Sequence, residues 1–398
     1  MIHWSDIKYL FCFILLSCGS RAEAQDYIPG QIYLDSTNYV AYHAGNLPII
    51  LSAPHGGNLE PSSIPDRDCT GCVTINDAYT KSITESIKEE IYELTGCYPH
   101  VIVNLLHRKK FDANRDIGDA ADGNLLVEAA WHAYHDFIHV AKARVTNDYG
   151  RGYFLDMHGH AHTIQRIELG YLLSKSELQQ NDDQLNTMLM VEESSIRTLV
   201  DDNLLGLSHA ALLRGEESFG SLMDLKGFPS VPSSADSFPL EGEAYFSGGY
   251  NTQRHGSRDD AGTIDAIQIE LNQDIRFDAT NRAMLIDSLA LTALEFYNYH
   301  YNDQFTGNYC ELMSDVSSNL VSRKGINIYP NPSSGLFFIE FPVNKIEALQ
   351  LITVLGERFR LELKDGYLDL NDFDQGIYIL DILTKRGERY QKKIIKVD

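Results

Sequence analysis

Beyond residue 25 the apolar positions fall into short runs separated by longer segments of helical period. Ile32 to Val40 and Ile49 to Ser52 have strand character, the second entered through Pro48. Asp77 to Leu94 repeats Ile83, Ile87, Ile91 and Leu94 at helical spacing, with charged residues on the other face and Gly96 as a stop. Val101 to Leu105 predicts a buried strand, Leu125 to Val145 a second helix and Tyr153 to Asp156 another short strand. This alternation predicts an α/β domain, a mainly parallel or mixed sheet flanked by helices on both faces. Ligand sites in such folds lie outside the carboxyl ends of the strands.

The pattern changes near residue 314. Residues 314–325 are polar and serine-rich, a linker by composition. Leu336 to Phe341, Leu349 to Val354, Arg358 to Leu363, Ile377 to Leu383 and Tyr390 to Val397 follow as short alternating strands, so 326–398 predicts a small all-β antiparallel sandwich. At the other end, Lys8 precedes the apolar run Tyr9 to Leu16, and Ala22-Glu23-Ala24 supplies a small-x-small cleavage site. Residues 1–24 therefore read as an export signal. Leu15-Leu16-Ser17-Cys18 offers the rival reading of a lipid-attachment signal. Between signal and linker, 25–313 is left as the domain that carries chemistry, and no apolar run after residue 25 is long enough to span a membrane.

A formal net charge of -23 sets this surface against nucleic acid and anionic lipid. An anionic substrate then requires local cations. Of the six cysteines, Cys69, Cys72, Cys97 and Cys310 lie beyond the signal, an even number in an oxidising compartment. Without a second CxxC, disulfides are the better reading than a thiolate metal site, and four thiols leave three pairings open.

Four islands carry candidate chemistry. Ser52-Ala53-Pro54-His55-Gly56-Gly57 places a histidine and two glycines at a strand end. His107 to Asp116 clusters Arg108, Lys109, Lys110 and Arg115 in an otherwise acidic chain, and a guanidinium fork can hold a carboxylate bidentately. Asp156-Met157-His158-Gly159-His160-Ala161-His162 alternates histidines, which in an extended segment point to one side, with Asp156 able to orient a ligating imidazole. Glu270 interrupts the apolar alternation of Ile264 to Leu271, where an unpaired buried charge would be costly. A long Ser-, Pro- and Gly-rich stretch, Leu212 to Gly242, suggests a lid or pocket wall.

In their order along residues 45 to 300 these islands resemble the N-formylglutamate amidohydrolase family, a relative of the zinc carboxypeptidases and aspartoacylases. The resemblance implies a zinc carboxypeptidase-like fold and one Zn²⁺, with His55 and His158 as ligands, Asn114 and Arg115 gripping a substrate carboxylate, and Glu270 as general base. Carboxypeptidases place a Glu three residues after the first His, where this chain has Asn58. The acidic ligand is then Asp77 or Glu60, with Asp77 favoured because it begins the helix after the loop. Arg108 or Arg254 would stabilise the oxyanion. The tail resembles the C-terminal sorting domain of the type IX secretion system through Asn327 to Pro332, Gly335, Leu355-Gly356, Gly376-Ile377-Tyr378 and the basic Lys392 to Lys396. That implies a secreted or surface-exposed product whose partners are the secretion machinery and a small acyl-amino acid or peptide substrate. The competing expectations are a zinc carboxypeptidase acting on peptides and a non-catalytic surface binding protein on the same fold.

Overall fold

The computed structural model describes residues 25–69, 71–258, 262–301, 327–340, 346–353, 358–361, 363–364, 366–385 and 389–397. The export signal, the 314–325 linker, Cys310 and Leu355-Gly356 lie outside them. The chain divides into two compact units, one holding the described residues up to Tyr301 apart from Leu94–Gly96, and the other those three with the described residues from Asn327.

In the first unit, eight strands form one sheet: β1 (Ile32–Leu34), β2 (Val40–His43), β3 (Ile49–Ala53), β4 (His100–Asn104), β5 (Gly152–Gly159), β6 (Ile167–Gly170), β7 (Ser230–Val231) and β8 (Ile264–Leu271). Their order is β1-β2-β4-β3-β5-β8-β6-β7. The central four, β4, β3, β5 and β8, run parallel. The flanks reverse, with β2 antiparallel to β4 and β6 antiparallel to β8, so the sheet is mixed. The run from Ile32 to Val40 is not one strand. The Asp35 carboxylate accepts the backbone N–H groups of Thr37, Tyr39 and Val40 at 2.8–2.9 Å and Asn38 takes φ 60°, folding the run into a hairpin between β1 and β2.

Helices cover both faces. Ile50, Phe154 and Ala266 share a core with Trp131, Tyr134 and Ile138 of the helix Leu125–Tyr149, whose first turn is capped by the Asn124 side chain. On the other face Tyr153 packs edge-on against Phe296 and donates to the Ala293 carbonyl of the helix Ala279–His300. The helix expected from Asp77 begins instead at Thr80, because the Thr80 amide and hydroxyl both return to the Asp77 carbonyl. That leaves the Asp77 side chain ahead of the helix, turned back toward the strand ends.

In the second unit, two antiparallel sheets enclose a core that includes Phe337, Leu351, Leu380 and Ile394. One sheet has the strands Tyr367–Asp369, Leu336–Glu340 and Asn327–Tyr329. The other has Arg358–Leu361, Ile346–Thr353, Gly376–Thr384 and Arg389–Lys396.

Candidate metal centre

The sheet changes chemistry along its length. On the face beneath the Leu125–Tyr149 helix, Ile50, Phe154 and Ala266 stand in register across β3, β5 and β8. Two residues on, the same face carries Ser52, Asp156 and Gln268, and two further on, His158 and Glu270. The period of two thus brings a polar row to the carboxyl ends of three neighbouring strands. Across β8, Glu270 faces Glu168 of β6.

His55, Asp77 and His158 meet at this edge, their ligand atoms all within 4.8 Å of one another. Asp77 Oδ2 lies 3.1 Å from His55 Nδ1 and 3.3 Å from His158 Nδ1. The far nitrogens are held as well: His55 Nε2 is 2.6 Å from Asp112 Oδ1, and His158 Nε2 is 2.7 Å from Asp156 Oδ2. A neutral imidazole donates from one nitrogen only. With Nε2–H given to Asp112 and Asp156, both Nδ1 lone pairs face the Asp77 oxygen. The clash disappears if the rings are doubly protonated or if a cation sits between the Nδ1 atoms and Asp77. Ligands in tetrahedral zinc sites, bonded at roughly 2.0–2.1 Å, stand about 3.3–3.4 Å apart. The two separations to Asp77 fit that spacing, and a carboxylate behind each imidazole is the usual support of a ligating histidine.

Burial opposes charge on His158, but Asp156 and Asp77 hold its pKa well above the ordinary value. Burial alone would raise Asp77, yet the two imidazoles hold it far below the carboxylate range. Asp112, raised by burial, is likewise held down by His55 and Arg108. Glu270 behaves oppositely. Burial pushes its carboxyl up to about 8, His158 offsets this only in part, and Asp77 and Glu168 add to the rise. Its Oε1 accepts from Gln268 Nε2 at 2.9 Å, while Oε2 is buried without a hydrogen-bond partner among the described residues.

These groups line a cavity of about 540 Å³ whose wall also includes Arg108, Asn114, Arg115, His162, Phe246 and Arg276. Arg115 is half-buried, and among the described residues its guanidinium donates only to the Asn114 carbonyl, at 2.8 Å. The Asn114 amide is turned inward, accepting the Asn251 N–H at 2.7 Å with Nδ2 3.4 Å from His158 Nε2. Arg108 is committed to Asp77 and Asp112, each at 3.1 Å, so it fixes two carboxylates and is not a free oxyanion donor.

Four expectations need correction. Arg254 lies outside the cavity, exposed, with its guanidinium 5.1 Å from the Trp131 ring and 5.8 Å from that of Tyr250. Glu60 is drawn away by Lys109 at 2.6 Å and His107 at 3.9 Å, and among the described residues it is no partner of His55 or His158. The alternation of histidines breaks because β5 ends at Gly159, and His160 and His162 turn to Arg166 and Glu168. Residues 212–242 do not line the cavity; they form the helix Phe219–Asp224 and β7 at the sheet edge. Asp112, Gln268, Arg276 and Glu168 were not anticipated. Glu168 carried the same signal as Glu270, a carboxylate inside an apolar strand. Asp112 was hidden in a charge run.

Residues 327–397 match the family model of a secretion system C-terminal sorting domain, which implies use of the type IX secretion machinery and export to the cell surface or beyond. No curated protein matches the chain. Among solved structures, the gene product Atu2144 of Agrobacterium tumefaciens aligns with 65% of this chain and 94% of its own, at 12% identity and a TM-score of 0.38. A protein provisionally named carboxypeptidase A, from Shewanella denitrificans, aligns with 64% of this chain and 60% of its own, at 10% identity and a TM-score of 0.28.

Proposed function

We propose that the chain is an exported zinc-dependent hydrolase of N-formylglutamate amidohydrolase type, cleaving the amide bond of a carboxylate-bearing N-acyl amino acid or small peptide. The observation that carries this reading is the pair of imidazoles, each held by a carboxylate at Nε2 and facing one shared Asp77 oxygen through Nδ1. His55, Asp77 and His158 would hold the ion, which when bound supplies Lewis-acid polarisation and a water acidic enough to react near neutral pH. Glu270 Oε2, buried and without a hydrogen-bond partner among the described residues, is the atom that takes a proton as a substrate carbonyl is attacked, in the carboxylate form that a cation bound at the nearby ligands would favour. Arg115 anchors the substrate carboxylate from the cavity wall. Asp112 and Asp156 fix the imidazoles, and Arg108 fixes Asp77 and Asp112.

One observation favours the carboxypeptidase variant of this reading. Val73, Ile75, Phe246 and Phe277 rim the cavity at 47%, 76%, 44% and 54% exposure, an apolar mouth larger than a formyl group requires. The test is metal analysis of the purified chain beside turnover of formyl- and acetyl-amino acids and blocked dipeptides, before and after chelation. The expected result is about one zinc per chain, chelator-sensitive turnover, and loss of both in Asp77→Asn. Folded protein with neither metal nor turnover would reject the hydrolase in favour of a binding protein.

A further inference from the structure

Hydrolysing an amide takes two proton transfers, one from the attacking water and one to the departing nitrogen, which is too basic to leave as an anion. Glu270 accounts for the first. A second titratable group lines the same cavity. His162 lines the cavity with its side chain 23% exposed, and its Nδ1 lies 2.8 Å from Oε1 of the buried Glu168. The other Glu168 oxygen accepts the Phe246 N–H at 2.8 Å, and the Phe246 ring stacks on the imidazole at 4.7 Å and 20°. The ring is therefore held at one nitrogen and on one face, while Nε2 has no hydrogen-bond partner among the described residues. Glu168 stands opposite Glu270 in the β6–β8 register; Glu270 lines the cavity directly, and Glu168 meets the cavity through His162.

His160, His162 and Glu168 also satisfy the spacing of a metal-ligand cluster. Both ring nitrogens of His160 are spent, however: Nε2 donates to the Arg166 carbonyl at 2.9 Å, and Nδ1 accepts the His162 amide at 3.1 Å. Two donors remain, too few for a held ion.

We propose that His162 is a catalytic acid that delivers the Nε2 proton to the leaving nitrogen, with Glu168 as its positioning residue. This rests on the hydrolase reading above. The water hydroxyl adds to the carbonyl carbon and the water proton goes to Glu270. The C–N bond then breaks, its electron pair staying on nitrogen, which receives the His162 proton. Proton return from Glu270 to His162 through solvent restores both groups, and the sum is amide plus water to acid plus amine.

The experiment compares the full chain with His162→Gln and Glu168→Gln on an alkyl amide and on the p-nitrophenyl ester of the same acyl group, whose leaving group needs no proton. For His162→Gln, kcat on the amide is expected to fall roughly 10²- to 10⁴-fold, with KM and metal content unchanged and ester turnover within about threefold. Imidazole should restore amide turnover to His162→Ala, and Glu168→Gln should repeat the amide-selective loss on a smaller scale. Equal losses on both substrates would overturn the proposal. A second metal equivalent that disappears in His162→Gln would also overturn it, making His162 a ligand. A wild-type chain that turns over neither substrate would reject the hydrolase reading and this inference with it.

Discussion

Replacing Glu270 by Gln keeps shape while removing charge, and the structure sets two expected consequences. The carboxyl is pushed from its ordinary 4.5 up to about 8 by burial, with Asp77 and Glu168 adding to the rise that His158 opposes. The folded state thus binds the Glu270 proton more tightly than the unfolded chain. Stability from this source is fully present below pH 4.5 and is lost as pH rises through 8. A difference of 3.5 pH units corresponds to about 5 kcal/mol as a ceiling in metal-free protein, at 1.36 kcal/mol per unit. Glu270→Gln cannot ionise, so it should lack that slope and be the more stable protein at pH 9, with little difference at pH 4.5. Denaturant titration across pH 4.5 to 9 in chelator, followed by Trp131 fluorescence, measures both curves. In the same variant with zinc restored, turnover should fall by roughly 10²-fold or more while metal stays bound. Parallel stability curves for wild type and variant, or turnover that survives the change, would refute the placement of Glu270 as a desolvated base.

Two further outcomes are expected. Arg115→Ala removes a cavity cation that has no carboxylate salt bridge among the described residues, so KM should rise about 10- to 100-fold, the equivalent of roughly 1.5–3 kcal/mol for a charge-assisted contact, with kcat little changed in steady-state kinetics. The Cys69–Cys72 disulfide closes a loop just ahead of the rim residues Val73 and Ile75, and the loop-entropy relation gives it about 2 kcal/mol. Cys69→Ser with Cys72→Ser should lower stability by no more than that and raise KM for substrates that reach the rim, while metal analysis shows the ion retained. Arg67, which holds this loop through the Val73 carbonyl, keeps the segment in place.

Much of this was legible in the chain itself. Period-2 apolar runs and 3.6-period helices are local properties, so the alternating layers and the all-β tail could be read directly, and turn chemistry at Asp35 was the local signal passed over. His158 stood out through the alternation with His160 and His162, His55 through its place before two glycines in the order of the resembled family, and Glu270 because a carboxylate in an apolar strand demands a partner. The tertiary structure alone decided which partners those are. Asp77 shared by both imidazoles, Asp112 behind His55, and Arg254 on Trp131 and not in the cavity are consequences of strand order and loop closure between segments about 20 to 120 residues apart. Sequence spacing carries no information about such distances, because a charge looks the same in a run whether it meets solvent, a salt-bridge partner or a buried imidazole. The register of β5, β8 and β6, fixed by backbone hydrogen bonds across the sheet, is what sets His158, Glu270 and Glu168 side by side.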